Sequence, residues 1–182
     1  MTSCTTPDTP GLIHIYTGDG KGKTTAAVGL AVRCAGSDGQ VVFCQFMKNN
    51  RSSELNILRQ LPQIQLVQAE QCFGFYKYLN EEQQAAAALV CSQLLEQAIA
   101  AAEESNARLL VLDEAISSYN HGLLPRQRLL DFLQHKPAGL EVALTGRDPA
   151  PELAELADYL SDIRKIKHPF DKGIAAREGI EK

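Results

Sequence analysis

Short apolar runs alternate along the chain with longer stretches in which apolar side chains recur every three or four positions. The runs "LIHIY" at 12–16, "VVFCQF" at 41–46, "IQLVQ" at 64–68, "RLLVLD" at 108–113, "EVALT" at 141–145 and "DIRKIK" at 162–167 predict strands. Helical spacing predicts helices near 23–35, 52–60, 81–104, 126–135 and 151–159, with Gly36 and Gly139 placed where helices should stop. Strand followed by helix, repeated, predicts an α/β domain: a mostly parallel sheet of about six strands with helices on both faces. In the Ala-rich segment 81–105, Leu89, Val90, Leu94, Leu95 and Ile99 are spaced for a helix packed on that sheet. Residues 1–10 are expected to be a flexible arm and 11–182 one domain, with a poorly regular tail from 168 onward.

Composition narrows the function classes. Hydrophobic residues make up 45% and charged ones 22%, the balance of an ordinary globular protein. Net charge is −4 with an isoelectric point near 5.6, so no field over the whole chain draws it to nucleic acid or to an anionic membrane. No stretch is expected to span a membrane, and the N-terminus has neither a basic start nor an apolar run typical of a signal peptide. The five cysteines are widely spaced without a C-x-x-C pair, which argues for reduced thiols and a cytoplasmic protein rather than a zinc site.

The chemistry concentrates in "TGDGKGKTTAAVGLAVRCAG" at 17–36. A strand feeds a glycine-rich turn, and a helix begins near Lys23. The phosphate-loop pattern G-x-x-x-x-G-K-[ST] ends on Gly22, Lys23 and Thr24, but its first glycine stands at Gly18, one position late, with Thr17 in the usual place. Such a turn aims backbone N–H groups at a phosphate chain, and the helix start adds a positive dipole end. Lys23 is the phosphate cation, Thr24 a ligand for Mg²⁺, and Asp19, Lys21 and Thr25 are further candidates for nucleotide contact. The alternative is a turn that binds nothing. Against it stands "LLVLDE" at 109–114, an apolar strand ending in Asp113 and Glu114, carboxylates suited to Mg²⁺. Arg147 in "LTGRDP" could clamp phosphate or be a surface turn residue, and Arg33 could reach a phosphate or pair with a neighbouring acid. Together these predict a P-loop NTPase-like (RecA-like) domain.

The segments "IYTGDGKGKTTAAVGLAVRCAG", "VVFCQFMK", "LLVLDE", "LTGRDP" and "IKHPFDKG" occur in this order over about residues 11 to 175, and together they resemble the corrinoid adenosyltransferases. The resemblance implies ATP and a reduced corrinoid as substrates, Mg²⁺ as cofactor, a flavoprotein as reductant and a homodimer. It implies that the shortened loop is usual and that ATP lies reversed along it, so that C5′ of the ribose is exposed instead of the γ-phosphorus. Carried over residue by residue, it assigns ATP contacts to Gly18, Asp19, Gly20, Lys21, Gly22, Lys23, Thr24, Thr25, Arg33 and Arg147. Asp19 stands where asparagine is common. Glu114 matches the carboxylate near the metal, joined there by Thr24 and Asp113, and with Lys23 it carries the catalytic role. The aromatic stretch 72–82 falls where the family keeps a loop near the corrinoid, offering Phe73, Phe75 or Tyr76. His168 and Phe170 match the C-terminal motif and are placed on the corrinoid side.

The implied reaction is displacement at C5′ by Co(I) with triphosphate leaving, which asks the protein to position reactants and stabilise charge. A small-molecule kinase and a regulatory ATPase are the rival readings of the same phosphate loop. No lid insertion supports the kinase, and no clear water-positioning residue supports the ATPase.

Overall fold

Each strand carries apolar side chains on both of its faces, so a sheet built from them must be covered twice. A computed structural model of the chain, describing residues 10–48, 52–71, 73 and 76–181, shows how this is done. Six strands, β1 (Ile13–Thr17), β2 (Val41–Gln45), β3 (Ile64–Val67), β4 (Leu109–Asp113), β5 (Glu141–Thr145) and β6 (Tyr159–Asp162), form one sheet in the order β3-β2-β4-β5-β1-β6. Every pairing is parallel. Alternate residues of one strand therefore serve two cores. Val41, Phe43, Leu109 and Val111 face one side, where helix α1 (Lys23–Ala35) and the short α2 (Glu54–Leu58) lie. Val42, Cys44, Leu110 and Leu112 face the other, covered by α3 (Glu81–Glu104), α4 (Ala115–Asn120), α5 (Arg126–His135) and α6 (Pro151–Leu156).

Helix α1 packs through Ala27, Ala31 and Ala35, one small residue per turn. Small side chains let its axis approach the sheet closely, and Thr24 in its first turn reaches Asp113 at the end of β4. Helix α3 starts with a capping box, Asn80 accepting from the Gln83 backbone and Gln83 accepting from the Asn80 backbone. By length and composition α3 is apolar enough to cross a membrane, which corrects the expectation that no stretch would be. Its Leu94, Leu95 and Ile99 are buried against the sheet as the spacing predicts, with Ala87, Cys91 and Ala98 beside them. Leu89 is exposed and Val90 only half-buried, because the buried stripe runs through 87, 91, 94, 95 and 98.

Several boundaries differ from the sequence reading. The last strand forms at Tyr159–Asp162 rather than at 162–167, because His14–Thr17 of β1 pair with 159–162 and leave the basic stretch beyond as irregular chain. Helix α6 accordingly ends at Leu156. Helix α4 was not expected, being only six residues long and following directly on the strand. Helix α5 stops not at Gly139 but ahead of Pro137, whose ring forces Lys136 out of the helical region (ψ 154°). Cys34, Cys44 and Cys91 are free thiols, and burial pushes the Cys91 thiol up to about 11. Cys4 and Cys72 lie outside the described residues.

Candidate active site

The C-terminal ends of parallel strands gather polar loops, and here strand order decides which loops meet. β5 lies between β1 and β4, so the phosphate loop after β1 and the carboxylates after β4 are bridged by residues at the end of β5. The Gly146 backbone N–H donates to the Tyr16 carbonyl on one side. Thr145 Oγ1 donates to Asp113 Oδ1 at 2.7 Å on the other.

The loop is shaped by two glycines with positive φ. At Gly18 (φ 107°) a Cβ would come within 2.3 Å of the Ile163 carbonyl, so no side chain fits. Gly22 (φ 131°) is the N-cap of α1 and offers no side chain to the helix start, which leaves its first amides available to an anion. Lys23 folds back over the loop and donates to the carbonyls of Gly18 and Gly20, each at 2.8 Å. Burial lowers its pKa, assisted by the nearby Arg147 and opposed by Glu114, Asp19 and Asp113. Asp19, expected to touch nucleotide, accepts from the Lys165 backbone N–H at 2.8 Å, and that hydrogen bond chiefly holds its carboxyl below the ordinary range. With the Gly20 N–H donating to the Ile163 carbonyl, residues 163–165 clamp the loop from outside.

Asp113 is fully buried, and its two oxygens accept four hydrogen bonds. Oδ1 receives Thr24 Oγ1 (2.9 Å) and Thr145 Oγ1. Oδ2 receives Gln45 Nε2 (3.1 Å) and the Lys48 ammonium (2.7 Å). Lys48 also stands 3.4 Å from Thr24 Oγ1 and 3.7 Å from Glu54 Oε1. Burial opposes its charge, but Asp113 above all the other acids wins, and its pKa lies above the usual lysine value. Glu114 occupies the left-handed region (φ 60°), donates its backbone N–H to Thr145 Oγ1, and accepts from Ser117 Oγ at 2.7 Å.

A cavity of about 280 Å³ opens over this arrangement. Asp19, Gly20, Lys21, Gly22, Lys23, Thr24, Thr25, Glu114 and Arg147 line it, together with His168 and Phe170 from the tail. Arg147 is held through its own backbone: Asn120 Nδ2 donates to the carbonyls of Arg147 and Asp148. Thus most residues read from sequence converge on one space. Arg33 does not. It sits in the last turn of α1, about 15 Å from Lys23 at 1.5 Å of helical rise per residue. Nor do Phe73 and Tyr76 share the cavity. Phe73 packs on the core beside Met47, Val90 and Cys91, and Tyr76 stacks on His121 at 4.2 Å while donating to Gln84. Phe75 lies outside the described residues. Lys48, Gln45, Thr145 and Asn120 were not singled out from sequence. Lys48 stood inside the quoted segment "VVFCQFMK", but only the sheet shows that its side chain turns to Asp113.

A parallel α/β sheet with a glycine-rich cradle at a helix start, lysines over it and a buried strand-end aspartate facing the helix threonine defines a P-loop nucleotide-binding protein. Comparison with known proteins carries this further. The chain matches the family model for ATP:corrinoid adenosyltransferase BtuR/CobO/CobP over residues 9–181. It is 34% identical over 176 residues to the corrinoid adenosyltransferase of Escherichia coli (strain K12), covering 96% of this chain and 87% of that one. It is also 34% identical over 173 residues to the corrinoid adenosyltransferase CobA of Salmonella typhimurium (strain LT2), covering 94% and 85%. Among solved structures, the ATPases 2 and 3 of Thermomonospora curvata EccC align with a TM-score of 0.51 and 14% identity, over 88% of this chain and 32% of that one, a likeness of fold alone. The chain belongs to the ATP:corrinoid adenosyltransferase family, whose members are transferases.

Proposed function

We propose that residues 11–182 transfer the 5′-deoxyadenosyl group of ATP to the Co(I) of a reduced corrinoid. A Co–C5′ bond forms, the C5′–O bond to the triphosphate breaks, and triphosphate leaves with the electron pair. The observation that carries the reading is the cradle itself. Lys21, Lys23 and Arg147 surround one cavity with the open helix start of α1. That set stabilises charge growing on a leaving triphosphate. Co(I) is a nucleophile already, so the reaction asks for no general base. Lys23 and Glu114 are assigned the catalytic roles, with the remaining ATP contacts at Gly18, Gly20, Gly22, Thr24 and Thr25. Asp19 acts through the loop it anchors, and Arg33, remote from the cavity, through α1.

The donor set suits Mg²⁺. This ion is ordinarily held by one or two carboxylates, substrate phosphates and waters, not by a cage of protein ligands. Among the described residues no group of three or more His, Cys, Asp or Glu is gathered for a metal. Thr24, Asp113 and Glu114 line up instead beside the phosphate loop, and the buried Gln45 Oε1 next to Asp113 has no hydrogen-bond partner, an acceptor for a water of a hydrated ion. When bound, Mg²⁺ supplies positive charge to phosphate oxygens. His168 and Phe170 at the cavity, Phe73 on the core, Tyr76 stacked on His121, and Phe75 are assigned to the corrinoid. We further propose a flavoprotein as reductant, a homodimer and a cytoplasmic location, all carried by the family likeness.

The test is the product formed from ATP. Incubation with ATP, Mg²⁺ and chemically reduced cobalamin should yield an organocobalt spectrum and one triphosphate per corrinoid consumed. ADP with a phosphorylated acceptor, or ADP with free phosphate, would overturn the reading. Within it, Glu114→Gln keeps volume and removes one charge. It should raise the Mg²⁺ concentration needed for half-maximal rate several-fold, on the principle that carboxylate count sets affinity for hard cations, and leave the fold intact. An unchanged Mg²⁺ titration would move that role to Asp113 alone.

A further inference from the structure

Asp113 has no oxygen lone pair standing idle. Two hydroxyls, one amide and one ammonium already satisfy it, and the ammonium of Lys48 is simultaneously within 3.4 Å of Thr24 Oγ1. The cation therefore stands beside two of the three groups assigned above to Mg²⁺, Thr24 and Asp113. A divalent ion and an ammonium cannot both crowd a buried carboxylate without strong repulsion. A second acceptor is in place for the one that leaves. Glu54, on α2, has Oε1 at 3.7 Å from the Lys48 nitrogen, and Gln45 Nε2 ties the two carboxylates together at 2.9 Å and 3.1 Å.

We propose that Lys48 is a positioning residue that acts as the resident counter-ion of the metal site. It holds Asp113 and Thr24 in place while no divalent cation is present, and shifts toward Glu54 when one enters. The inference rests on the assignment of Thr24 and Asp113 to the metal, but not on what is done with ATP. In the metal-free state the pair prevents an uncompensated buried carboxylate, which would otherwise favour local opening of the loop. The exchange keeps the positive charge near the cradle instead of removing it, since Glu54 and Asp113 flank the same ammonium.

The experiment reads metal binding directly, without corrinoid and without turnover. Mn²⁺ binding to the full chain is measured by electron paramagnetic resonance in the absence of nucleotide. Lys48→Met should bind Mn²⁺ at least tenfold more tightly than the unmodified protein, and adding Asp113→Asn should abolish that gain. Glu54→Gln, which takes away the second acceptor, should move the affinity the other way, weakening it several-fold. Lys48→Arg, keeping the charge, should stay near the unmodified value. Should Lys48→Met not be recovered folded, Lys48→Gln keeps a donor for Asp113 and carries the same expectation. The thermal midpoint gives a second readout, since Mn²⁺ should raise it more in the Lys48 variant than in the unmodified protein. Equal or weaker Mn²⁺ binding in the Lys48 variant, or a gain that survives Asp113→Asn, would overturn the proposal. Failure to release triphosphate from ATP would instead refute the assigned reaction and leave this result standing.

Discussion

Lys23→Ala should lower turnover by a factor on the order of 10² or more, the usual cost of removing one electrostatic stabiliser from a preorganised site. Charge accumulates on the triphosphate as C5′ changes partners, and Lys23 is the half-buried cation at the centre of the cradle. The structure adds a second component. Lys23 bridges the carbonyls of Gly18 and Gly20, so its loss also loosens the loop. Two measurements separate these effects. Turnover at saturating ATP reports the charge term, and ATP affinity reports the loop. Circular dichroism should be unchanged, because α1 keeps its alanine contacts with the sheet. Near-normal turnover in a folded variant would remove the phosphate loop from the mechanism.

Asp113→Asn should be the most destabilising single polar change, about 3 kcal/mol, at the lower end of the range for breaking a buried ion pair. The carboxylate is 0% exposed, and the amide that replaces it cannot accept all four hydrogen bonds. One of its two atoms becomes a donor, facing either two hydroxyls or Gln45 and Lys48. Lys48 then keeps an uncompensated charge, softened because its side chain is 23% exposed and Glu54 is near. Urea unfolding measures the loss. The double variant Lys48→Met/Asp113→Asn should be more stable than the sum of the two single losses predicts, because the partners share one interaction. Strict additivity would mean that the pair contributes nothing.

The fold was legible because its signal is local and repeated. Five of the six strands lie where their apolar runs stand, and β2, β4 and β5, inside the sheet and buried on both faces, are apolar along most of their length. The sixth was misplaced for lack of that burial. β6 is an edge strand exposed along its whole length, so no burial wrote a pattern into Tyr159–Asp162. Helix α4 was missed because six residues give less than two turns of periodicity.

For the site, sequence by itself determined the cradle. Glycines that must adopt positive φ, a lysine and a threonine at the helix start, and a strand ending in Asp-Glu are each fixed by local chemistry, whatever surrounds them. Tertiary structure decided everything that depends on which strands are neighbours. Only the order β4-β5-β1 sets Thr145 between the loop and Asp113, and only the β2–β4 pairing turns Gln45 and Lys48 onto the same carboxylate. It likewise put Arg33 in the last turn of α1, remote from the cavity, and tied the carboxylate of Asp19, which lines the cavity, to the backbone of Lys165. The physical reason is range. Backbone conformation and helix starts are set within a few residues, whereas a buried carboxylate takes its partners from wherever the sheet brings donors to it.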